Sequence, residues 1–273
     1  MKTKKGVKAF KKGLICKDYQ FKENEIFGTD KVKVCEKGFH YCENPLDVLD
    51  YYDLCDSEFA EVEDMGVTQV EGNKSATNKI KIGAKLDLKG FIKLAFDFLF
   101  DKVKVTGNIE SGNYSKVATS GHSSQVATLG HYSQVATSGD SSKVATLGHY
   151  SQVATSGHSS KVATSGHSSK VATSGHYSQV ATLGHYSQVA TSGHYSKVAT
   201  SGHSSKVAIE GKDSVVANIG IKGQIKGVIG TWITLAEYDS DNKIILVKSA
   251  KIDGKRLKEN TWYKLENNKF KAI

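Results

Sequence analysis

The sequence predicts a mainly β protein: a parallel β-solenoid, a β-roll with eighteen residues per coil, preceded by a small α+β head and followed by an antiparallel β cap. Three observations predict it. Twelve nine-residue units span residues 112–219 in the pattern Gly-His-Tyr/Ser-Ser-Gln/Lys-Val-Ala-Thr-Ser/Leu, and such a period marks one short unit stacked on copies of itself. Within the unit 148–156, residues 150–155 alternate in character as a strand does. From the second unit to the fifth, the variable positions alternate: Ser123 goes with Leu129, Tyr132 with Ser138, Ser141 with Leu147 and Tyr150 with Ser156. Units therefore pair into coils, because nine residues cannot close around an interior. A triangular coil of three units is the alternative.

The chain divides into a head (1–88), a capping helix and linker (89–106), the roll (107–222) and a cap (223–273). In the head, residues 38–52 read as a strand, a loop at Asn44-Pro45 and a helix over 46–52, with Asn44 as its cap and Pro45 as its first residue. The aromatic-rich stretch 91–100 reads as a helix laid across the open end of the roll, since raw strand edges need cover. In the roll, Gln152 and its lysine equivalents face water, so Ser151 and Val153 face inward. Glycine with its polar neighbour makes the turn, where positive φ or close backbone approach is needed. One valine per strand, with serine, alanine and threonine, leaves a thin interior. Stability is then expected from the backbone ladder and from serine or threonine rows bonding along the axis. Leu129, Leu147 and Leu183 each precede Gly-His-Tyr, as for side chains packed across one corner. Twelve units make six coils, about 29 Å of rod at ~4.8 Å per strand. Beyond Gly220, strand-like runs at 231–238, 244–252 and 261–265, with turns at Asp241-Asn242, Asp253-Gly254 and Asn267-Asn268, predict a small meander.

The formal charge is +9, which favours anionic partners. The opening residues are basic without the apolar stretch of a signal peptide, and no run is long enough to span a membrane, so a cytoplasmic setting is expected. Cys16, Cys35, Cys42 and Cys55 then read as thiols. Cys35, His40 and Cys42 lie close together, but they lack the paired spacing of structural zinc sites, and no metal or other cofactor is assigned.

The repeat, with Ser-x-Val-Ala-x-x-Gly-x-x-Ser running through it, resembles the β-roll of trimeric autotransporter adhesin heads over residues 107–220. The chain as a whole is similar to an uncharacterised family of phage and prophage proteins. That resemblance rests on residues 34–48 with Tyr51-Tyr52, residues 59–63, the run Lys74-Ser75-Ala76-Thr77-Asn78-Lys79 and the closing Asn260-Thr261-Trp262-Tyr263-Lys264-Leu265. It implies a phage-related setting in a host cytoplasm, where small proteins acting against host defences are frequent. Residues 38–52 are also similar to the Gly-x-Tyr-Phe-Ala segment of ADP-ribosyltransferases. That likeness implies a pocket lined by His40 or Tyr41 and Tyr52, with Glu71 as the candidate glutamate.

The leading functional expectation is an interaction protein. Seven lysines against four acidic residues across 110–219 make the rod positive, and aromatic rings interleaved with cations suit bases and phosphates. Tyr132, Tyr150, Tyr186, Lys143, Lys161 and Lys197 are the expected binding residues, for nucleic acid or an acidic host protein that handles it. A homo-oligomer is compatible with such a rod. The competing class is a transferase-like enzyme in the head using His40, Tyr52 and Glu71, although no nucleophile–base pair or phosphate loop is identifiable. The threonine rows raise a third reading, ice binding or a purely structural solenoid. A column of histidines at the turns raises metal binding, but Asn113 and Asp140 replace histidine without disturbing the pattern, so turn chemistry explains them more simply.

Overall fold

The computed structural model describes residues 4–17, 19–34, 36–102 and 112–273, so Cys35, the linker 103–111 and the start of the roll at 107 lie outside the described residues. The chain forms two compact units, Met1–Phe98 and Leu99–Ile273.

The head unit is built on a four-stranded sheet. Strands β1 (Lys4–Phe10), β2 (Ile15–Cys16), β3 (Tyr19–Gln20), β4 (Ile26–Gly28), β5 (Phe39–Tyr41), β6 (Glu58–Asp64), β7 (Thr68–Glu71), β8 (Lys74–Thr77) and β9 (Lys79–Leu86) follow in chain order. They pair as β1-β6-β9-β4, β5-β8-β7 and β2-β3. Edge-to-face aromatic contacts among Phe10, Phe21, Phe27 and Phe39 fill one side of the core. The expected helix after Asn44 is a 3₁₀ segment, Pro45–Asp50, and Leu46 N–H donates to the Asn44 side chain at 3.2 Å. Helix α1 (Leu88–Lys102) starts where Asp87 accepts the Gly90 N–H, and Phe91, Ile92, Ala95 and Leu99 form one fully buried stripe. Phe91 packs on Phe59 of β6 with ring centroids 4.5 Å apart, so the head engages the first turn of this helix.

The second unit is the solenoid. Twelve four-residue strands, β10 to β21, from Lys116–Thr119 to Val215–Asn218, recur every nine residues and alternate between two parallel sheets. Each strand pairs with the one eighteen residues on, Val117 with Val135 and Val126 with Val144, so two units make one coil. The roll runs to seven coils rather than six. Gly220 opens one more degenerate unit, whose strand β22 (Gln224–Lys226) keeps Ile225 in the valine column, and β23 (Trp232–Tyr238) continues the other sheet in parallel. The C-terminal region is accordingly two hairpins, one extending each sheet, rather than one meander: β23 pairs with β24 (Ile244–Lys251), and β25 (Tyr263–Glu266) pairs with β26 (Lys269–Ala272). Asn267 and Asn268 make the second turn in the left-handed region, and Glu237 accepts both their N–H groups. The valine file and the cap residues Ile233, Leu235, Ile252 and Tyr263 form one continuous core.

Inside the coils the wall is serine, valine and threonine; alanine alternates with valine to the other face, against expectation, and is exposed on the sheet carrying Lys143 but buried on the other sheet. The serine hydroxyls do not build axial rows through most of the roll. Most donate to the glycine carbonyl of their own unit, as Ser151 does to Gly148 at 2.9 Å, while Ser205 reaches across to Gly184 and Ser214 donates to the Lys212 carbonyl. The threonine hydroxyls in the interior have no protein partner. Of the two reasons expected for glycine at the turn, close backbone approach is the one observed. Left-handed φ falls on the third residue of each unit, Tyr132 at 57° and Ser159 at 56°, and not on the glycine. The glycine is required by proximity instead, because a Cβ on Gly157 would sit 2.0 Å from the Gly139 carbonyl oxygen one coil away.

Candidate functional site

Two regions bring functional side chains together, one on the roll and one in the head. On the roll, the sheet carrying Lys143, Lys161 and Lys197 has an open outer face. These three lysines and Gln125 and Gln179 form one exposed axial file, held in register by strand pairing. Beside the file runs a floor of exposed alanines, Ala145, Ala163, Ala181 and Ala199, and beyond it stand Leu129, Leu147 and Leu183, all more than half exposed. The leucines thus do not pack into a closed corner with the tyrosines. No acidic residue interrupts the lysine file. On the other sheet the equivalent Gln134 and Gln152 are buried, and Gln134 donates to Gln152 at 3.2 Å.

Tyr132, Tyr150 and Tyr186 lie in one column at the margin of the open face opposite the lysines, as an eighteen-residue coil requires. Tyr114, Tyr132 and Tyr150 stack with centroids 5.0 Å apart and planes within 7°. Both faces of Tyr132 are therefore occupied by its own neighbours. The next rung is Ser168, followed by Tyr186, so the ladder has a gap one coil high between two tyrosine rings.

The histidines form columns with centroids 4.8–5.2 Å apart over most of their length. Their role is specific. His131, His149, His176, His185 and His194 each accept, at Nδ1, the backbone N–H of the residue eighteen positions on. Asn113 and Asp140 make the same bond through Oδ1, at 2.9 Å in both cases. This is why Asn, Asp and His are interchangeable here: each presents an acceptor at the same reach. The Nδ1 lone pairs of these five rings are therefore used within the rod. The threonine rows face inward and are buried, which removes the ice-binding reading.

In the head, His40 and Tyr52 line a cavity of about 270 Å³ together with Lys8, Cys16, Lys17 and Lys74. β1 brings Lys8 there. Val7 exchanges both backbone hydrogen bonds with Cys42, and Gly6 lies so close beneath that a Cβ would meet the Cys42 carbonyl oxygen at 2.4 Å. Lys8 is only 4% exposed; its ammonium donates to the His40 carbonyl at 3.0 Å and to Cys16 Sγ at 3.5 Å. Burial lowers its pKa, and no described carboxylate pairs with it. Cys16 Sγ also lies 3.3 Å from the Tyr52 hydroxyl, whose pKa is raised by burial and by that sulfur. His40 is pushed down to about 4 by burial and by Lys8, Lys74 and Lys17. Lys74 sits 3.7 Å over the Tyr51 ring.

Tyr41 lines the same cavity but directs its hydroxyl to Asp64 at 2.9 Å. Asp64 is buried, which would raise its pKa, yet hydrogen bonds from Thr68, Thr77, Gly66 and Tyr41 hold the carboxyl below the ordinary range. This is a structural hub. Glu71 does not join His40 and Tyr52; it is exposed at the end of β7 and borders a separate depression with Lys33 and Gln69. Cys16, Cys42 and Cys55 are thiols, and burial pushes the Cys42 thiol up to about 12. Among the described residues no three His, Cys, Asp or Glu side chains converge as metal ligands, and no helix is long and apolar enough to cross a membrane.

Residues 4–94 match a domain of unknown function, DUF7666. The match covers about a third of the chain and contains every residue lining the head cavity. No curated protein and no solved structure matches the chain.

Proposed function

We propose that the roll is a docking surface for an anionic polymer, with single-stranded nucleic acid as the leading class. The observation that carries the reading is the uninterrupted file of Lys143, Lys161 and Lys197 with Gln125 and Gln179 on the one open sheet face. Rigid parallel pairing holds these cations at multiples of the coil spacing, so little ordering is needed on binding. The tyrosine ladder adds a ring-sized slot at Ser168. Two coil steps set Tyr150 and Tyr186 about 10 Å apart, close to the span of three stacked rings, so one base fills the missing rung. Stacking is assigned to this slot rather than to Tyr132, whose faces are already taken. In the setting that the phage-family resemblance implies, the polymer would be host or phage nucleic acid, or a nucleic-acid-handling host protein sequestered in a counter-defence role.

The test is titration of a fluorescent oligothymidylate at several salt concentrations. Lys143→Gln, Lys161→Gln and Lys197→Gln combined should leave the fold intact, since glutamine occupies the file naturally. They should also lower the log–log salt slope by about 2, at roughly 0.7 per lost single-strand contact. Ser168→Tyr completes the ladder and should remove about 1–3 kcal/mol of base stacking. Absence of binding by the parent protein at low salt to DNA, RNA and an acidic polypeptide would sink the proposal and leave the roll a spacer.

A further inference from the structure

The head cavity is independent of the roll, and its lining is chemically one-sided. Three amines, from Lys8, Lys17 and Lys74, converge with the Cys16 and Cys42 thiols and aromatic rings, and no carboxylate among the described residues lines it. Structural lysines are normally exposed or paired with a carboxylate. Among the described residues Lys8 is neither, being held by one carbonyl and one thiol, with the Phe10 and Phe21 rings each 5.4 Å from its ammonium. An amine placed there is a liability for folding unless a ligand uses it, and buried groups that weaken the fold concentrate at functional sites. His40, lowered first by burial, is lowered further by Lys8, Lys74 and Lys17.

The size of the cavity narrows the ligand. At about 270 Å³ it lies just below the roughly 300–1,000 Å³ range of drug-sized sites. Val48, Tyr51 and Tyr52 supply an apolar and aromatic wall suited to one ring. We propose that this cavity binds a small aromatic anion, its carboxylate or phosphate received by the Lys8 amine and the Lys74 ammonium and its ring lodged beside Val48 and Tyr52. Burial opposes the charge on the Lys8 side chain, and an anion seated beside it offsets that opposition.

The experiment is calorimetric titration of the full chain with phenyl phosphate and with benzoate, with benzyl alcohol as the uncharged analogue. Both anions should bind, and benzyl alcohol should not. Lys8→Met should lower affinity at least tenfold, as expected for loss of a buried charged partner, and should raise the melting temperature of the head by replacing a buried amine with an apolar chain. Lys74→Gln should weaken binding several-fold, while the exposed Lys11→Met should not change it. Equal affinity for benzyl alcohol, unchanged binding in Lys8→Met, or no heat with either anion at about 10 mM would overturn the proposal. If Lys8→Met does not fold, its amine is structural and the proposal fails on that account. None of these outcomes touches the lysine file of the roll.

Discussion

Replacing Gly157 with alanine tests the packing logic of the roll. Its φ is not in the left-handed region, so by dihedral preference alone alanine is acceptable there. The neighbour one coil away forbids it, since the new Cβ would lie 2.0 Å from the Gly139 oxygen and 2.5 Å from its carbonyl carbon. Restoring an allowed contact means opening the coil spacing by about 1 Å at that corner. The flanking bonds Ser141 N–H to His158 O, 2.7 Å, and Ser156 N–H to Thr137 O, 2.9 Å, then stretch beyond hydrogen-bonding range. Two bonds lost at about 0.5–1.5 kcal/mol each, with overpacking strain at the low end of its range, about 1 kcal/mol, give roughly 2–4 kcal/mol. For a unit of this size that is a drop of roughly 5–15 °C in melting temperature. Ser159→Gly in the same unit is the control. It relieves a left-handed residue at φ 56° and adds flexibility to the unfolded chain, and the two effects nearly cancel. Both tryptophans lie in the solenoid unit, so their fluorescence during urea denaturation reports this unit and not the head. If Gly157→Ala stays within about 1 kcal/mol of the parent, or if Ser159→Gly is the more damaging change, close approach is not what selects glycine.

The histidine columns predict a substitution pattern: His149→Asn should be nearly neutral, because Asn113 already performs the same role, whereas His149→Leu should cost about 0.5–1.5 kcal/mol by removing the acceptor for the His167 N–H. Denaturation of the two variants side by side checks it. For the head, His40 titrates near 4 when folded and near its ordinary 6.5 when unfolded. The unfolded chain therefore binds more protons between those values, and head stability is fully present above about pH 6.5 and is lost as pH falls toward 4. Calorimetric melting of the head across that window, with His40→Gln as the flattened comparison, measures the slope.

The coil was legible because near-identical units alternate in their variable residues, which requires an eighteen-residue register. The seventh coil was not, because Gln224-Ile225-Lys226 keeps only the one buried aliphatic position of the repeat. At the turn the sequence leaves positive φ and close approach both open as reasons for glycine, and only the stacked coils decide it: Tyr and Ser adopt the positive φ while glycine admits a neighbouring backbone. The exchange of His for Asn and Asp was visible as a pattern, yet its cause, an acceptor reaching eighteen residues along the chain, exists only once the coils are stacked. In the head, His40 and Tyr52 stood out beside a strand and a capped helix. Lys8, Cys16 and Lys74 did not, since a lysine within Val7-Lys8-Ala9-Phe10 faces the interior only because Gly6 lets β1 lie against Cys42. One trace was readable: a lysine flanked on both sides by apolar residues in a strand.

The central functional claim concerns one face of the roll, and lysine footprinting addresses it residue by residue. The full chain is acetylated briefly with and without saturating oligothymidylate, and modification at each lysine is quantified by mass spectrometry. Protection concentrated at Lys143, Lys161 and Lys197, with Lys11, Lys255 and Lys258 still reactive, is the predicted result. Uniform protection of all lysines, or protection confined to the head or the cap, would contradict it.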